Sequence, residues 1–170
     1  MESKENLEVW MRGPVDSVPA LLQPVAHALL QVQEEIPRHL MNFPEEKLWD
    51  KPAGLASVGF HLQHIRGVID RLFTYARGEM LNEEQLRCLA QEGIENRDIK
   101  IESLLQGLNA QVQEAIKQLE GTDPARLTDA RGIGRKQIPT TLMGLLFHAA
   151  EHSQRHTGQL LVTAAVLKAG

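Results

Sequence analysis

The sequence lacks the features typical of secreted and membrane proteins. It contains one cysteine, Cys88, and a single thiol cannot form an internal disulfide, so no oxidising compartment is indicated. Its first six residues are polar and of mixed charge, unlike a signal peptide, and the apolar stretch at residues 160–167 is too short to span a bilayer. We therefore expect a cytoplasmic protein without a membrane partner, in which Cys88 is a small packing residue.

The sequence also lacks an excess of basic residues. Its 18 lysines and arginines are outnumbered by 22 acidic residues, which gives a formal net charge of −4 and argues against nucleic acid as a partner. Hydrophobic residues make up 42% of the 170 residues and charged residues 24%, close to the average for globular proteins. A chain of this length can bury a sizeable core as a single domain.

Helical periodicity is the main pattern in the chain. Apolar residues recur at steps of three and four, which predicts amphipathic helices. Four long helices are predicted at about residues 18–40, 58–77, 101–119 and 140–168, and a short one at 83–91. Ser17, Ser57 and Asn82 are candidate N-cap residues for the first, second and short helices. Pro24 and Pro37 predict either a kink in the first helix or a later start.

Proline and glycine mark the segments between these helices. Residues 42–54 and 123–139 are predicted to be loops, the second with room for a short hairpin whose place the pattern does not fix. No linker divides the chain into two domains. We therefore predict an all-α four-helix bundle with a short extra helix over residues 18–170, preceded by an N-terminal arm at residues 1–17 that uses Trp10 as an anchor.

Five of the seven histidines fall in two short windows. His61 and His64 are one turn apart on the second helix, and His148, His152 and His156 follow one another at every fourth position of the last helix. Residues spaced in this way lie nearly above one another on an α-helix, and their apolar neighbours indicate that this stripe faces a core. The other two histidines belong to the first helix, outside these windows.

These histidines have two interpretations. An i, i+4 pair can chelate a metal ion, and a catalytic zinc-type site uses three protein ligands and leaves one position for water or substrate. His152 and His156 supply the pair, and we choose His64 as the third ligand. In the alternative, each histidine is a core or rim residue held by ordinary hydrogen bonds, which we favour for His61 or His148 taken alone. Clustering favours a metal for the set of three, and neutral imidazoles suit zinc, nickel, iron and copper alike.

Other catalytic motifs are absent or incomplete. The chain has no His-Glu-x-x-His sequence, so a metalloprotease mechanism is not supported. Glu151 adjoins His152 but is rotated by about 100° around the helix, which disfavours a shared metal ion. The basic turn at residues 132–136 lacks the glycine spacing of a phosphate-binding loop.

Two motifs resemble those of a known family. Residues 57–65, with His61 and His64, are similar to the second-helix motif of the DinB/YfiT-like family. Residues 152–160 are similar to its last-helix motif, His-x-x-x-His followed by Gly-Gln, and the order and separation of the two motifs also match. The chain departs from the family pattern directly after the last histidine, where many members carry arginine and this chain has Thr157.

The resemblance covers about residues 18–167 and implies both a fold and a cofactor. The fold is a four-helix bundle with a long crossover. The cofactor is a divalent metal ion held by His64, His152 and His156, for which we expect zinc or nickel, with iron, manganese or copper as alternatives. Dimers are common in such families, and some relatives transfer groups to or from low-molecular-weight thiols such as bacillithiol and mycothiol. The implied partners are thus a small-molecule substrate, a thiol and a second copy of the chain.

Two hypotheses follow for the function. In the first, the chain is a metal-dependent enzyme, a hydrolase or a thiol-dependent transferase, with His61 or His148 beside the open position as a base or a supporting group. In the second, the metal only stabilises a non-catalytic bundle that binds a partner. An open coordination position would favour the enzyme, and a fourth protein ligand would favour the structural role.

Overall fold

The computed structural model of the protein describes residues 7–169 and is mainly helical. Its elements are α1 (Gln23–His39), α2 (Val58–Ala76), α3 (Glu83–Gln91), α4 (Ile101–Glu120), β1 (Ala130–Ile133), β2 (Ile138–Thr141) and α5 (Leu142–Ala169). The predicted all-α four-helix bundle with a short extra helix is confirmed, with α3 as the extra helix. None of the helices in residues 7–169 is long and apolar enough to cross a membrane.

The four long helices enclose one hydrophobic core. α2 packs against α5 and α4, and α1 packs against α5 and less extensively against α4. Helices α1 and α2 therefore lie diagonally, as do α4 and α5, and long segments at residues 40–57 and 121–141 make these two crossings. The largest fully buried side chains come from every long helix and include Leu29, Ile36, Ile65, Ile69, Phe73, Leu108, Leu119, Leu145 and Leu146.

Two predicted helix starts carry the expected caps. The Ser57 hydroxyl accepts a hydrogen bond from the Phe60 N–H (3.1 Å) at the start of α2. Asn82 and Gln85 form a reciprocal capping box at the start of α3, in which each side chain accepts from the backbone N–H of the other. These local bonds fix where α2 and α3 begin.

The first helix begins later than the predicted residue 18. Ser17 is not its cap, since this residue has a left-handed φ of 64°, and a 3-10 turn at Ala20–Leu22 precedes α1. Pro24 then lies in the first turn of α1, where its missing N–H removes no helical hydrogen bond. Trp10 is not the predicted anchor of the arm, because 62% of it is exposed while its neighbour Val9 is buried.

The last helix also begins later than predicted, at Leu142. The two residues before it belong to β2, where Thr140 pairs with Arg131 and Thr141 pairs with Ala130 in an antiparallel hairpin. The hairpin uses the backbone groups that a longer helix would need. Its strands are too short for the alternation of apolar and polar residues to be visible in the sequence.

Residues 77–100, here called the α3 segment, are attached to α2 by side-chain hydrogen bonds. The buried amide of Gln85 donates to Asp70 Oδ1 (3.0 Å) and to Thr74 Oγ1 (2.8 Å). The backbone N–H of Gly93 donates to Gln63 Oε1 (2.8 Å). These bonds hold α3 against α2 near its start, at Gln85, and just after its end, at Gly93.

A methyl group added at two helical glycines should change the free energy of unfolding in opposite directions. At Gly59 a Cβ would lie 2.7 Å from the ring of Trp49, closer than real contacts allow, whereas at Gly158 it would meet nothing within 4 Å beyond its own helix backbone. Gly59→Ala should lower the free energy of unfolding by about 1–3 kcal/mol through overpacking. Gly158→Ala should raise it by about 0.5–1 kcal/mol, because alanine has the better helix propensity.

Urea unfolding of the metal-free protein measures both changes. The two variants add the same methyl group to a helix, so each serves as the control for the other. Equal changes of the same sign would contradict the packing of Trp49 against α2.

Candidate metal centre

The histidines of α2 and α5 meet where these two helices pack. Their spacing of three and four residues keeps them on one side of each helix, and the α2–α5 contact is the most extensive in the bundle. Both predicted windows therefore come together, although they are 84 or more residues apart in sequence. The histidines of α1, His27 and His39, lie outside this cluster, as predicted.

The three predicted ligands form a compact set. His64, His152 and His156 each offer a ring nitrogen, and these atoms lie within 4.8 Å of one another. The Nε2 atoms of His64 and His152 are 3.0 Å apart. The ring centroids of His156 lie 4.4 Å from that of His64 and 4.6 Å from that of His152. All three residues are half-buried, so the set borders solvent without projecting into it.

His61 supports this set from the core side. The side chain is almost fully buried, and its Nδ1 lies 3.0 Å from Nδ1 of His156, so one of these nitrogens donates to the other. If His156 donates, its Nε2 has no proton and is free to bind an ion. His61 therefore contacts His156 from the core side and does not face solvent.

Burial keeps most of the clustered imidazoles neutral. Burial first, and the nearby His64 second, lower the pKa of His61 to about 4 and that of His156 to about 4. The pKa of His152 is lowered as well, mainly by burial and then by His64 and His148. Neutral imidazole is the form that coordinates a metal ion, so these shifts favour binding near neutral pH.

His152 shows that hydrogen bonds alone do not satisfy the cluster. Its Nδ1 is buried without a hydrogen-bond partner in the part of the chain that the structure describes, and its Nε2 faces only another imidazole nitrogen. A buried polar atom without a partner costs free energy and requires an explanation. Three imidazole nitrogens fit a divalent transition metal, and Nε2 of His152, which faces Nε2 of His64, is the atom of His152 that would bind an ion shared with His64.

A carboxylate that the sequence did not point to completes the surroundings of His64. Glu92, directly after α3, lies with Oε2 2.6 Å from His64 Nδ1 and with Oε1 2.5 Å from a guanidinium nitrogen of Arg71. The sequence around Glu92 is charged and without period, and no local signal relates it to a histidine 28 residues earlier. The only hint is the capping box of α3, which shows that this segment is ordered.

A second group lies on the solvent side of the set. His148 Nδ1 donates to Glu151 Oε1 (2.6 Å), and Arg155 donates to Glu151 Oε2 (2.8 Å). Burial raises the pKa of Glu151, but the bond from His148 and the charge of Arg155 outweigh it, so the net shift is downward. His148, Glu151 and His152 could also hold an ion, so Glu151 and His152 lie close enough to share a site although their positions around the helix differ.

Two further features lie apart from the histidines. Cys88 is exposed, with its thiol 3.4 Å from a Glu84 carboxylate oxygen, so the prediction of a packing residue is wrong. A cavity of about 840 Å³ lies between the arm, α1 and α5, lined by residues that include Trp10, His27 and Gly158. None of the clustered histidines lines this cavity.

Comparison with known proteins finds a matching family model but no matching curated protein. A family model described as the DinB superfamily matches residues 28–160, which is most of the chain and includes all five clustered histidines. No curated protein matches the chain. The match confirms the resemblance that the two histidine motifs indicated.

The lowered pKa values predict a loss of stability in mild acid. The unfolded chain takes up protons on histidine near pH ~6.5, whereas folded His61 and His156 resist protonation down to about 4. The unfolded state therefore binds more protons between these values, and the stability of the metal-free protein should fall as pH drops from ~6.5. Urea unfolding with a chelator, from pH ~7 to pH ~5, measures this slope.

A histidine variant tests whether the pH dependence of stability comes from the clustered imidazoles. His61→Gln should flatten the dependence on pH, because it removes one of the three imidazoles whose pKa is lowered. His27→Gln should leave it unchanged, since His27 lies outside the cluster. A wild-type stability that is constant over this range would contradict the burial of neutral imidazoles.

Proposed function

This chain belongs to the DinB superfamily, and we propose that it is a metal-dependent enzyme whose divalent ion is held by His64, His152 and His156. The observation that carries the proposal is the compact set of three ring nitrogens within 4.8 Å, contributed by two helices that pack together. Three protein ligands are the number that catalytic metal sites use, with a further position left for water or substrate.

The surroundings support a centre that is built for an ion. His64 is held through Nδ1 by Glu92, which leaves its Nε2 for coordination. His156 is held through Nδ1 by His61, and its Nε2 is left for coordination when His156 is the donor in that bond. Such outer partners are usual for metal-binding histidines, because they fix the tautomer and the ring orientation. We propose zinc or nickel as the ion, with iron, manganese or copper as alternatives: imidazole suits zinc, nickel, iron and copper, and manganese rests on the family resemblance alone.

The chemistry divides between the ion and the side chains on its solvent side. A bound ion would act as a Lewis acid and would lower the pKa of a coordinated water or thiol toward neutrality. We assign to His148 the uptake or delivery of a proton at Nε2, because its Nδ1–H is held by Glu151 and its side chain is exposed. Arg155 keeps Glu151 charged and in position for that hydrogen bond.

The reaction class is proposed from the resemblance and from this arrangement together. Hydrolysis of a small molecule needs only the ion, a water and a base such as His148. Group transfer to a low-molecular-weight thiol needs the same groups with a thiol in place of water. The small-molecule substrate, the thiol and a homodimer stay predictions that rest on the family resemblance.

A non-catalytic role is the alternative, and one observation favours it. The candidate ligands link α2 to α5, and Glu92 links the same centre to the α3 segment, so an ion would tie three parts of the fold together. In that role the ion only stabilises the folded bundle, which requires no position for substrate.

Removal of single ligands tests the proposal. His64→Ala, His152→Ala and His156→Ala should each reduce the metal content of the purified protein to a small fraction of the wild-type value, because two imidazoles bind an ion far more weakly than three. Mass spectrometry of metals after dialysis against zinc or nickel gives the stoichiometry. The same variants should lose any thiol-dependent or hydrolytic activity that the wild type shows.

The two histidines of α1 provide matched controls. His27→Ala and His39→Ala remove an imidazole from α1 and should keep the full metal content, since neither belongs to the cluster. Full occupancy in any two of the three ligand variants would overturn the ligand assignment.

A further inference from the structure

We propose that Glu92 is a positioning residue, which holds the imidazole of His64 so that Nε2 carries no proton and faces the other two histidines. The inference rests on the proposed metal-binding function and concerns a residue that lies outside the ligand set. It assigns a role to the α3 segment, which reaches a candidate ligand through the hydrogen bond of Glu92 to His64.

The hydrogen bond itself selects the tautomer. Glu92 Oε2 lies 2.6 Å from His64 Nδ1, and an ionised carboxylate can only accept, so Nδ1 carries the proton. In a neutral imidazole the other nitrogen then has a free lone pair. That nitrogen, Nε2, is the one 3.0 Å from Nε2 of His152, on the side where the three candidate ligands converge.

Glu92 is itself held on both oxygens. Its Oε1 accepts from Arg71 at 2.5 Å while Oε2 accepts from His64, so each oxygen has a cationic or N–H donor. Only 8% of the Glu92 side chain and 11% of the Arg71 side chain are exposed. A charge-assisted pair in this setting is shielded from solvent and keeps the carboxylate fixed in direction.

A glycine makes room for this pair on α2. A Cβ at Gly67 would collide with Glu92 Oε1 and would lie 2.5 Å from a guanidinium nitrogen of Arg71. The carboxylate and the guanidinium therefore pass directly over the backbone of α2 at this position. Gly67 lies one turn after His64 and one turn before Arg71, so Glu92 contacts both of these side chains from a position above Gly67 on the surface of α2.

The α3 segment also restrains the face of the His64 ring. Phe60 stacks on it, with centroids 5.1 Å apart and ring planes at 14°. Gly93, the residue after Glu92, packs against Phe60 so closely that a Cβ would lie 2.8 Å from its ring. Adjacent residues of one segment thus fix His64 at its edge and, through Phe60, at its face.

Three substitutions separate positioning from simple packing. Glu92→Ala removes the acceptor. Glu92→Gln keeps the shape but offers one acceptor and one donor to two donors, so either His64 or Arg71 loses its bond. Gly67→Ala leaves both carboxylate and imidazole present and displaces the pair. Glu95→Gln is the matched control, because it removes one negative charge from an exposed position three residues away.

Two measurements on the full-length protein are needed. The dissociation constant for zinc or nickel, from competition with a chromophoric chelator, should rise 10–100-fold in Glu92→Ala and by a smaller factor in Glu92→Gln and Gly67→Ala. Long-range ¹H–¹⁵N NMR spectra of the metal-free protein at pH ~8 report the tautomer of His64 directly. The wild type and Glu95→Gln should show Nδ1–H alone, and Glu92→Ala should show a mixture of both tautomers.

The outcomes distinguish this inference from the proposed function. Unchanged affinity and an unchanged tautomer in Glu92→Ala would overturn the positioning role while leaving the metal centre in place. A wild-type protein that binds neither metal would overturn the proposed function, and the tautomer of the metal-free protein would still decide the role of Glu92. A variant that lost stability but kept both the affinity and the tautomer would show that Glu92 only supports packing, which would also overturn the inference.

Discussion

The packing of α2 against α5 is the contact on which the candidate centre depends. It brings imidazoles from both helices into a partly buried space where their protonated forms are disfavoured, so His61, His152 and His156 are held neutral. Neutral rings repel one another little and can share hydrogen bonds, as His61 does with His156. The three ring nitrogens that converge there form a set of donors that matches a divalent metal ion.

The side chains around the three candidate ligands lie on different sides of the α2–α5 contact. The core side holds His61, the α3 segment holds Glu92 against His64, and the solvent side carries His148 with Glu151. This division separates the buried groups that contact the candidate ligands from the exposed His148, to which we assign proton transfer. The cavity of about 840 Å³ is lined by other residues of α5, among them Gln154 and Gly158, and by none of the clustered histidines.

The sequence predicted the parts of the site that follow a helical period. Histidines at every fourth position had to share one side of the last helix, and the apolar residues beside them placed that side toward the core. The late start of α1 and the hairpin before α5 depend on turns that have no period, as does the segment that carries Glu92. Glu92 reaches His64 only because Gln85 and Gly93 attach that segment to α2, and such tertiary hydrogen bonds leave no pattern in the sequence. The sequence also gives no sign of the role of Gly67, since a glycine inside a helix does not indicate which side chains pack over it.

The most direct measurement of the central claim is a crystal structure of the zinc- or nickel-loaded protein with anomalous diffraction at the metal edge. One strong anomalous peak is expected about 2.0–2.1 Å from a ring nitrogen of each of His64, His152 and His156, with at least one coordination position not filled by protein. A peak held only by His148 and Glu151, or no peak near His64, would contradict the assignment of the centre. A peak at the three histidines that is closed by a fourth protein ligand would contradict the enzyme and favour the structural role.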